Sequence, residues 1–338
     1  MEGSTKLRVG IVGCGYQGGR LAEAIKYVDR LEVTSCADIN PQAAVDLAGQ
    51  VDRAKAYSSI DDMLDRAEVD IVMVATPHDV LAPLSLKAIQ AGKHVLVEKP
   101  CGMNDTELAQ VEEAVARAGV CYLAGYSFRY IPAWYQVHEL LQQGVVGEVQ
   151  AVMGMFGYVP MNEGWLSRPE TGGGPLLYLG SHLVDQVLWY MQDDPVEVYA
   201  SVRYRHDTQA DETSAFQIGF ARGAIAQLMV TQAAVSFSNR LEIIGRSGSI
   251  SLQPCGFIDY EITVVSSAVD AYSQPTVLHT PMTGDPRNIK HTRQLNEFVD
   301  AIQFGKQPFA TIKDGRRVLK VLDAVFASDR SGEPIHIQ

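Results

Sequence analysis

The sequence predicts an α/β protein of two domains: a doubly wound parallel sheet over residues 1–125, and an α+β domain with a large, mostly antiparallel sheet over residues 126–338. The first observation is length, since 338 residues exceed what one core usually serves. The second is rhythm, because short apolar runs alternate with helical patterns up to about residue 125 and longer strand-like runs follow from about residue 148. The third is a hydrophobic content of 46%, enough to fill two cores.

The N-terminal domain is predicted from strands and helices that alternate along the chain. This alternation gives parallel pairing, with right-handed crossovers that cover both faces of the sheet. The predicted strands are 6–12, 31–38, 70–77, 94–100 and 120–126, and the predicted helices are 19–28, 41–50, 80–91 and 106–118.

The C-terminal domain is predicted from long strand-like runs that turn signals such as ARG and RSG join into antiparallel hairpins. Helices precede and follow these runs and are expected on one face of the sheet. The other face keeps apolar residues, as in QLMVTQAAVSF (227–237), which predicts a subunit interface. The strand-like runs are 147–158, 195–206, 213–237, 240–253 and 257–267, and the helices are 175–192, 292–305 and 316–329.

Composition argues against several classes of protein. A net charge of −12 without a dense Lys/Arg cluster argues against nucleic acid or anionic lipid as a partner. No apolar run reaches the roughly 18 residues of a membrane span, and the first fifteen residues lack the apolar region of a secretory signal. The five scattered cysteines indicate neither a disulfide framework nor a zinc site, and HExxH and carboxylate clusters are absent from the sequence. We expect a cytoplasmic protein with no metal.

A glycine motif follows the first predicted strand and opens the first helix. Gly13, Gly15 and Gly18 form GxGxxG, in which the glycines permit a tight turn, a close approach to a pyrophosphate and close helix–strand packing. Asp38 ends the second strand, where its carboxylate could accept both adenine-ribose hydroxyls and would repel a 2′-phosphate. The motif predicts a Rossmann domain and favours NAD over NADP. The alternative is that these are turn glycines and that Asp38 is a solvated strand end.

A lysine follows the strand at residues 94–100. Lys99 lies in EKP, at the carboxyl end of a parallel strand, which is where ligands of open α/β sheets bind. A lysine near an oxidised nicotinamide should have a lowered pKa, and it could donate a hydrogen bond to a substrate hydroxyl. The alternative is an ordinary solvated lysine.

The stretch GGGPLLYLGSHLVDQVLW (172–189) is predicted to be a helix with two faces. Gly174 is a suitable N-cap and Pro175 a suitable first helical residue. One stripe, at Val184, Val187, Leu188 and Met191, faces the core, and a second, at Tyr178, His182, Asp185 and Trp189, carries polar groups. That second stripe is either a functional face or a packed one in which Asp185 merely orients His182.

Several motifs, in order along the chain, resemble those of the Gfo/Idh/MocA family of glucose–fructose oxidoreductases and inositol dehydrogenases. They are GCGYQGG, ATP (75–77), AGKHVLVEKP, GGGPLLYLGSHLVD and DAIQFGKQPFAT, and the resemblance runs through nearly the whole chain. It implies a Rossmann domain followed by an α/β domain with a large antiparallel sheet, through which members form dimers or tetramers. It also implies oxidation of a secondary hydroxyl of a sugar, inositol or related polyol, or the reverse reaction.

The resemblance also implies roles for single residues. Lys99, in a cis Lys99–Pro100 bond, would bind the reacting hydroxyl, and His182 would be the general acid/base. The residues implied to bind substrate are Arg129, Trp165, Tyr178 and Asp185. Together with the glycine motif, the resemblance assigns the cofactor to Gly13, Gly15, Tyr16, Gln17, Gly18, Asp38, Ile39, Thr76, Pro77, His78, Glu98, Lys99 and Arg168.

Two positions depart from the family pattern. Tyr178 stands where polyol dehydrogenases of the family carry Asp, and a phenol is neutral at pH 7. His78 and Leu81 stand where many members read TPNxxH, so contacts on the nicotinamide side are expected to differ.

These observations predict a dehydrogenase in which His182 takes the hydroxyl proton and Lys99 positions the oxygen while a hydride leaves to NAD⁺. A second hypothesis is a glycoside-cleaving enzyme that uses NAD transiently, for which the substitution at Tyr178 leaves room. A third is a non-catalytic sensor, which would not need Lys99 and His182 together.

Overall fold

The computed structural model describes residues 6–161, 163–255, 259–280 and 286–337. The chain divides into two compact units. Met1–Ser127 and Arg287–Arg316 make the first, and Phe128–Pro286 and Arg317–Gln338 make the second. The break after Ser127 lies two residues beyond the predicted boundary at 125. The segment Arg287–Arg316, which the sequence assigned to the second domain, belongs instead to the first unit.

The first unit has a six-stranded sheet in the order β3-β2-β1-β4-β5-β6, and every pair is parallel. This is the predicted doubly wound sheet. The strands are β1 (Leu7–Val12), β2 (Leu31–Ala37), β3 (Lys55–Tyr57), β4 (Ile71–Val74), β5 (His94–Glu98) and β6 (Tyr122–Gly125). The helices are α1 (Tyr16–Ile25), α2 (Pro41–Gly49), α3 (Ile60–Arg66), α4 (His78–Gln90), α5 (Asp105–Ala118) and α8 (Pro286–Phe304).

The order of these strands places a crevice at the carboxyl end of β1. Its two neighbours, β2 and β4, lie on opposite sides and are reached by connections that run in opposite directions. Ligands of open α/β sheets bind at such a switch point. The strands are apolar enough to be covered on both faces, and every residue of β4 is buried.

The second unit has a nine-stranded sheet in the order β14-β13-β12-β11-β7-β10-β9-β8-β15. All pairs are antiparallel except β7 with β10, which confirms the predicted, mostly antiparallel sheet. The strands are β7 (Val149–Gly157), β8 (Pro195–Tyr204), β9 (Asp211–Phe220), β10 (Ile225–Thr231), β11 (Ser238–Gly245), β12 (Gly248–Pro254), β13 (Tyr260–Ser266), β14 (Thr276–His279) and β15 (Ile335–His336). The helices are α6 (Pro132–Gln142), α7 (Ser181–Met191) and most of α9 (Ile312–Ser331).

One predicted strand is only partly described, and several observed elements were not predicted. The predicted run at 257–267 corresponds to β13, and residues 257–258 of it lie outside the described residues. Strands β3, β14 and β15 and helices α3 and α6 were not predicted. In β3 only Tyr57 is buried, so a three-residue strand carries almost no apolar signal.

The two faces of the nine-stranded sheet differ in their covering. Helix α9 lies against one face and is hydrogen-bonded to β8: Ala200 N donates to Ser328 Oγ over 3.0 Å. On the opposite face large apolar side chains are exposed, and the strand register places all of them on that face: Met153, Tyr199, Ile225, Met229 and Ile244. None of the helices in the described ranges has the length and apolarity to cross a membrane.

Candidate active site residues

The glycine turn after β1 has the geometry of a pyrophosphate cradle. Gly13 has a φ of +93°, and a Cβ there would overlap the Ala75 carbonyl. A Cβ on Gly18 would overlap the Gly13 carbonyl, whereas one on Gly15 would meet only open space. Gly15 is the N-cap of α1, whose first amide groups and positive dipole end face that space.

Asp38 is held in place by two backbone amides. Cys14 N donates to Oδ2 over 2.7 Å, and Asn40 N donates to Oδ1 over 2.8 Å. Each carboxylate oxygen keeps a lone pair for a further hydrogen bond. The adjacent Ile39 and the neighbouring Tyr16 are 95% and 82% exposed. Large exposed apolar groups beside a glycine turn and a strand-end carboxylate suit an adenine nucleotide such as NAD.

Glu98 and Lys99 end β5 in a buried, polar environment. Gln17 Nε2 donates to Glu98 Oε1 over 2.7 Å. Burial raises the pKa of Glu98 above its ordinary value, although the charge of Lys99 opposes this. Burial also lowers the pKa of Lys99 to about 8, against the opposing charge of Glu98. The Lys99–Pro100 peptide bond is cis, as the sequence predicted.

Two residues of α8 join this environment, and sequence analysis missed both. His291 is buried, and its Nε2 lies 3.5 Å from Gln17 Nε2. Desolvation lowers the pKa of Lys290 to about 7, with Arg20 and Lys99 adding to the effect. Burial also holds the pKa of His291 well below its ordinary value. The helical pattern around KHTRQ gave no indication that Lys290 and His291 lie near β5, because almost 200 residues separate them from that strand.

The loop after β4 carries the remaining predicted cofactor contacts of the first unit. Thr76 Oγ1 donates to the Pro77 carbonyl over 3.3 Å, and Pro77 is the N-cap of α4. His78 opens α4 and is 2% exposed. Their role toward a nicotinamide remains a prediction.

In the second unit the predicted single helix 175–192 has two parts. Leu176–Gly180 is π-helical, and α7 continues from Ser181 to Met191. Every residue of α7 is buried, so the stripe with His182, Asp185 and Trp189 is packed, as one of the two alternatives had it. The sheet and α6 both pack near this helix, so even its polar stripe is covered. π-Helical turns often occur at functional sites.

Asp211 anchors the start of this helical segment, and nothing in the sequence indicated it. Its Oδ2 accepts a hydrogen bond from Leu176 N over 2.7 Å. Gly174, expected to be an N-cap, has a φ of +111°, and a Cβ on it would overlap Asp211 Oδ1. Burial raises the pKa of Asp211 to about 7, although the bond from Leu176 opposes this.

Arg129 and Asp185, both implied to bind substrate, bond each other. Arg129 Nε lies 3.2 and 3.1 Å from the two carboxylate oxygens, and Nη2 lies 2.5 Å from Oδ1. The side chains are 3% and 1% exposed. The guanidinium carbon also lies 5.6 Å from the centre of the Trp189 ring. The structure therefore assigns the pair a structural role, and contact with substrate remains a prediction.

His182 is surrounded by aromatic rings. Its ring stacks on Phe128 with centres 4.2 Å apart and planes at 14°. Phe156 lies 6.5 Å away. One helical turn earlier along the chain, Tyr178 meets the edge of Trp165 at 6.5 Å. An imidazole held between rings is fixed in orientation and shielded from bulk water.

The predicted residues thus form two groups. The first unit holds all the predicted cofactor contacts except Arg168, and the second holds Arg168, His182 and the predicted substrate contacts. Arg168 lies in the turn after Trp165, where its carbonyl accepts a bond from Gly173 N over 2.8 Å. Among the described residues, no three His, Cys, Asp or Glu side chains are arranged to hold a metal ion.

Two family models match the chain. Residues 7–126 match an oxidoreductase family model described as an NAD-binding Rossmann fold, and residues 134–251 match the GFO/IDH/MocA C-terminal domain.

Several proteins of similar sequence or structure are named for reductase or dehydrogenase activities or are bound to NAD. The 1,5-anhydro-D-fructose reductase of Ensifer adhaerens is 27% identical over 91% of each chain. The trans-1,2-dihydrobenzene-1,2-diol dehydrogenase of Xenopus tropicalis is 26% identical over 86% of this chain and 88% of its own. The crystal structure of GenD2 from gentamicin A biosynthesis, in complex with NAD, is 27% identical with a TM-score of 0.86, over 99% of this chain and 97% of its own.

Proposed function

Because the chain belongs to the Gfo/Idh/MocA family of oxidoreductases and has its NAD-binding Rossmann domain, we propose that it is a dehydrogenase acting on a secondary hydroxyl of a sugar, inositol or related polyol. The observation that carries this proposal is the environment of Lys99. It is a buried lysine at the carboxyl end of β5, and its pKa of about 8 lets it hold or release a proton near neutrality. The anhydro-sugar and dihydrodiol named for the relatives above both contain secondary hydroxyls.

The cofactor would lie on the glycine turn and Asp38. The amides of α1 would face the pyrophosphate, and the oxygens of Asp38 would accept the adenine-ribose hydroxyls. NAD⁺, when bound, supplies the acceptor for the hydride. The negative charge of Asp38 would repel the 2′-phosphate of NADP. Asp38→Ala should therefore raise the KM for NAD⁺. It should also lower the preference for NAD⁺, measured as kcat/KM with NAD⁺ divided by kcat/KM with NADP⁺, by roughly tenfold or more.

In the proposed reaction His182 removes the hydroxyl proton, and the C–H electron pair leaves the same carbon as hydride, giving a ketone, NADH and a proton. The ring of Phe128 keeps the imidazole in one orientation. Lys99 donates a hydrogen bond to the reacting oxygen and stabilises its developing negative charge. Glu98, fixed by Gln17, holds the ammonium form of Lys99. Tyr178 offers a neutral hydroxyl to the substrate.

A turnover test decides the reaction class. Concentrated enzyme with NAD⁺ and pooled inositols, aldoses and simple glycosides should give a sustained rise of reduced-nicotinamide absorbance. A burst no larger than the enzyme concentration, with release of an aglycone, would instead show a glycoside-cleaving enzyme. Lys99→Met should lower kcat about a hundredfold or more while the Kd for NAD⁺ changes little. If both fall together, Lys99 is a cofactor ligand and not part of the chemistry.

The exposed apolar face of the nine-stranded sheet supports a further proposal, a homodimer or homotetramer. Its side chains include Met153, Tyr199 and Met229, which are 49%, 52% and 41% exposed. Adjacent apolar groups on a sheet face favour burial against a second copy. Light scattering of the purified protein should give a dimer or tetramer mass, and Met229→Glu should shift it toward the monomer. The exposed Val45→Glu, on α2 of the first unit and away from this face, is the matched control.

A further inference from the structure

A row of aromatic rings runs away from His182 through the second unit. Phe128 stacks on the imidazole, and Phe156 lies 6.0 Å from Phe128. Phe237 meets Phe156 edge-on at 5.7 Å, and Tyr158 meets Phe237 edge-on at 6.1 Å. Centre distances of 4.5–7 Å are those of interacting aromatic pairs. The row is therefore continuous from the proposed base to the loop between β10 and β11.

Most of this row is not core. Phe156 is 3% exposed and anchors the row to β7. Phe128, Tyr158 and Phe237 are only half-buried. Rings that served only to fill the core would be covered as Phe156 is. Accessible aromatic surface beside a catalytic group is what a ligand pocket uses to bind an apolar ring.

The two charged side chains that the resemblance implies at the substrate, Arg129 and Asp185, bond each other. Arg129 and Asp185 form their ion pair in the interior, with Trp189 over the guanidinium. A carboxylate that receives two guanidinium nitrogens has less capacity for substrate hydroxyls. Tyr178, one helical turn before His182 along the chain, is a neutral phenol and adds no carboxylate to this side of the helix. The second unit thus offers rings more than charges to a substrate.

We propose that the alcohol this enzyme oxidises carries an apolar or aromatic ring fused or adjacent to its carbinol carbon, and that this ring lies against the row Phe128–Phe237. Such a substrate has few hydroxyls besides the reacting one and its neighbour. The inference rests on the proposed dehydrogenase function and, within the related polyols named there, favours cyclic diols and ring-bearing alcohols over sugars and inositols. It places fully hydroxylated rings among the poor substrates.

Three vicinal cyclic alcohols test this with the wild-type enzyme and NAD⁺. They are trans-1,2-indanediol, which has a fused aromatic ring, trans-1,2-cyclohexanediol, which has a saturated apolar ring, and myo-inositol, which is hydroxylated at every carbon. We expect kcat/KM to be highest for the indanediol and at least about tenfold lower for myo-inositol. An equal or higher kcat/KM for myo-inositol would overturn the inference while leaving the dehydrogenase function intact.

A pair of variants tests the row itself. Phe237→Leu should lower kcat/KM for the indanediol about 2- to 12-fold and leave any turnover of myo-inositol unchanged. Phe304→Leu, at a 64% exposed ring on α8, is the matched control and should change neither. If Phe237→Leu lowers kcat/KM equally for the indanediol and for myo-inositol, Phe237 has only a structural role and does not bind the substrate ring. Unchanged melting temperatures will show that both variants fold.

A binding measurement tests the proposed ring site even if the enzyme oxidises none of these alcohols. Calorimetric titration of the NADH-bound wild-type protein should show the indanediol binding at least about tenfold more tightly than myo-inositol. Absence of turnover together with that preference would reject the proposed reaction and keep the ring-binding row. Tighter binding of myo-inositol would reject the row as a ring site.

Discussion

The carboxylate of Asp211 occupies the space that a side chain on residue 174 would need. A Cβ built on Gly174 would overlap Asp211 Oδ1, while Oδ2 accepts the hydrogen bond of Leu176 N over 2.7 Å. Gly174 also has a φ of +111°, which L side chains rarely adopt. These two residues together set the start of the helical segment that carries Tyr178 and His182.

Gly174→Ala should therefore lower both stability and activity. The added methyl group must displace Asp211 or the helix start, and the positive φ adds strain. We expect a loss of roughly 2 kcal/mol or more in the free energy of unfolding, measured by urea denaturation. Gly219→Ala, in the same strand as Asp211, is the control, because a Cβ there meets only Glu197 at ordinary contact distance. Equal stability of the two variants would contradict the tight contact.

The stability of the protein should depend on the ionisation of Asp211. Burial raises the pKa of this carboxyl to about 7 in the folded state. Folding therefore favours the protonated form, so the carboxyl costs stability as the pH rises from its unfolded value near 4 through about 7. The Asp211→Asn side chain cannot ionise and can still accept from Leu176 N. The melting temperature of Asp211→Asn relative to wild type should increase by roughly 5 °C between pH 5 and pH 8.

The control for this experiment is Asp270→Asn at an exposed position. Its melting temperature relative to wild type should show no such increase. A difference between Asp211→Asn and wild type that stays constant from pH 5 to pH 8 would mean that Asp211 ionises at its ordinary pH.

The Arg129–Asp185 pair should behave as a buried ion pair. Asp185→Ala leaves the guanidinium buried without its carboxylate, so we expect a loss of about 3–5 kcal/mol in the free energy of unfolding. The double variant Arg129→Met/Asp185→Leu should recover most of this loss. Glu148→Ala, which breaks the exposed pair with Arg246, should cost less than about 1 kcal/mol. If Asp185→Ala keeps wild-type stability but raises the KM for the alcohol, Asp185 is a substrate ligand.

Glu98→Gln should move the alkaline limit of activity. The negative charge of Glu98 raises the pKa of Lys99 against the larger effect of burial, leaving it at about 8. Without that charge the ammonium form loses its proton at lower pH. The alkaline limb of the kcat/KM profile should shift down by roughly one pH unit. Glu23→Gln, an exposed change on α1, should leave the limb in place. If the alkaline limb stays in place in Glu98→Gln, the ionisation of Lys99 does not set the pH dependence of kcat/KM.

The regular parts of the first unit were predictable from the sequence because each parallel strand is a continuous apolar run. The glycine turn and Asp38 were predicted on local motifs and the cis bond before Pro100 on the family resemblance, and the structure has the turn and the bond as expected. The division of the chain was less predictable. Helix α8 belongs to the first unit through contacts such as Gln17 with His291, which lie 274 residues apart and leave no local signal.

The environment of the second group of residues was only partly predictable. Tyr178, His182 and Asp185 lie at helical spacing, but the first part of the predicted helix is π-helical and every residue of α7 is buried. Arg129 as the partner of Asp185 and Asp211 as the anchor of Leu176 depend on tertiary contacts across 56 and 35 residues. Periodicity indicates which residues share a helix, but not which side chains from elsewhere neutralise them.

The chain passes from one unit to the other after residues 127, 286 and 316, so neither unit is a continuous stretch. Ala124 N donates to the Ala310 carbonyl over 2.9 Å, and Arg316 pairs with Asp105 and Glu112 over 2.7 Å, all within the first unit. A nascent chain that has emerged only to residue 286 still lacks α8, so its nucleotide-binding half can be completed only after residues 287–316 have been made. A graft that exchanges this half between relatives must therefore carry residues 287–316 together with residues 1–127.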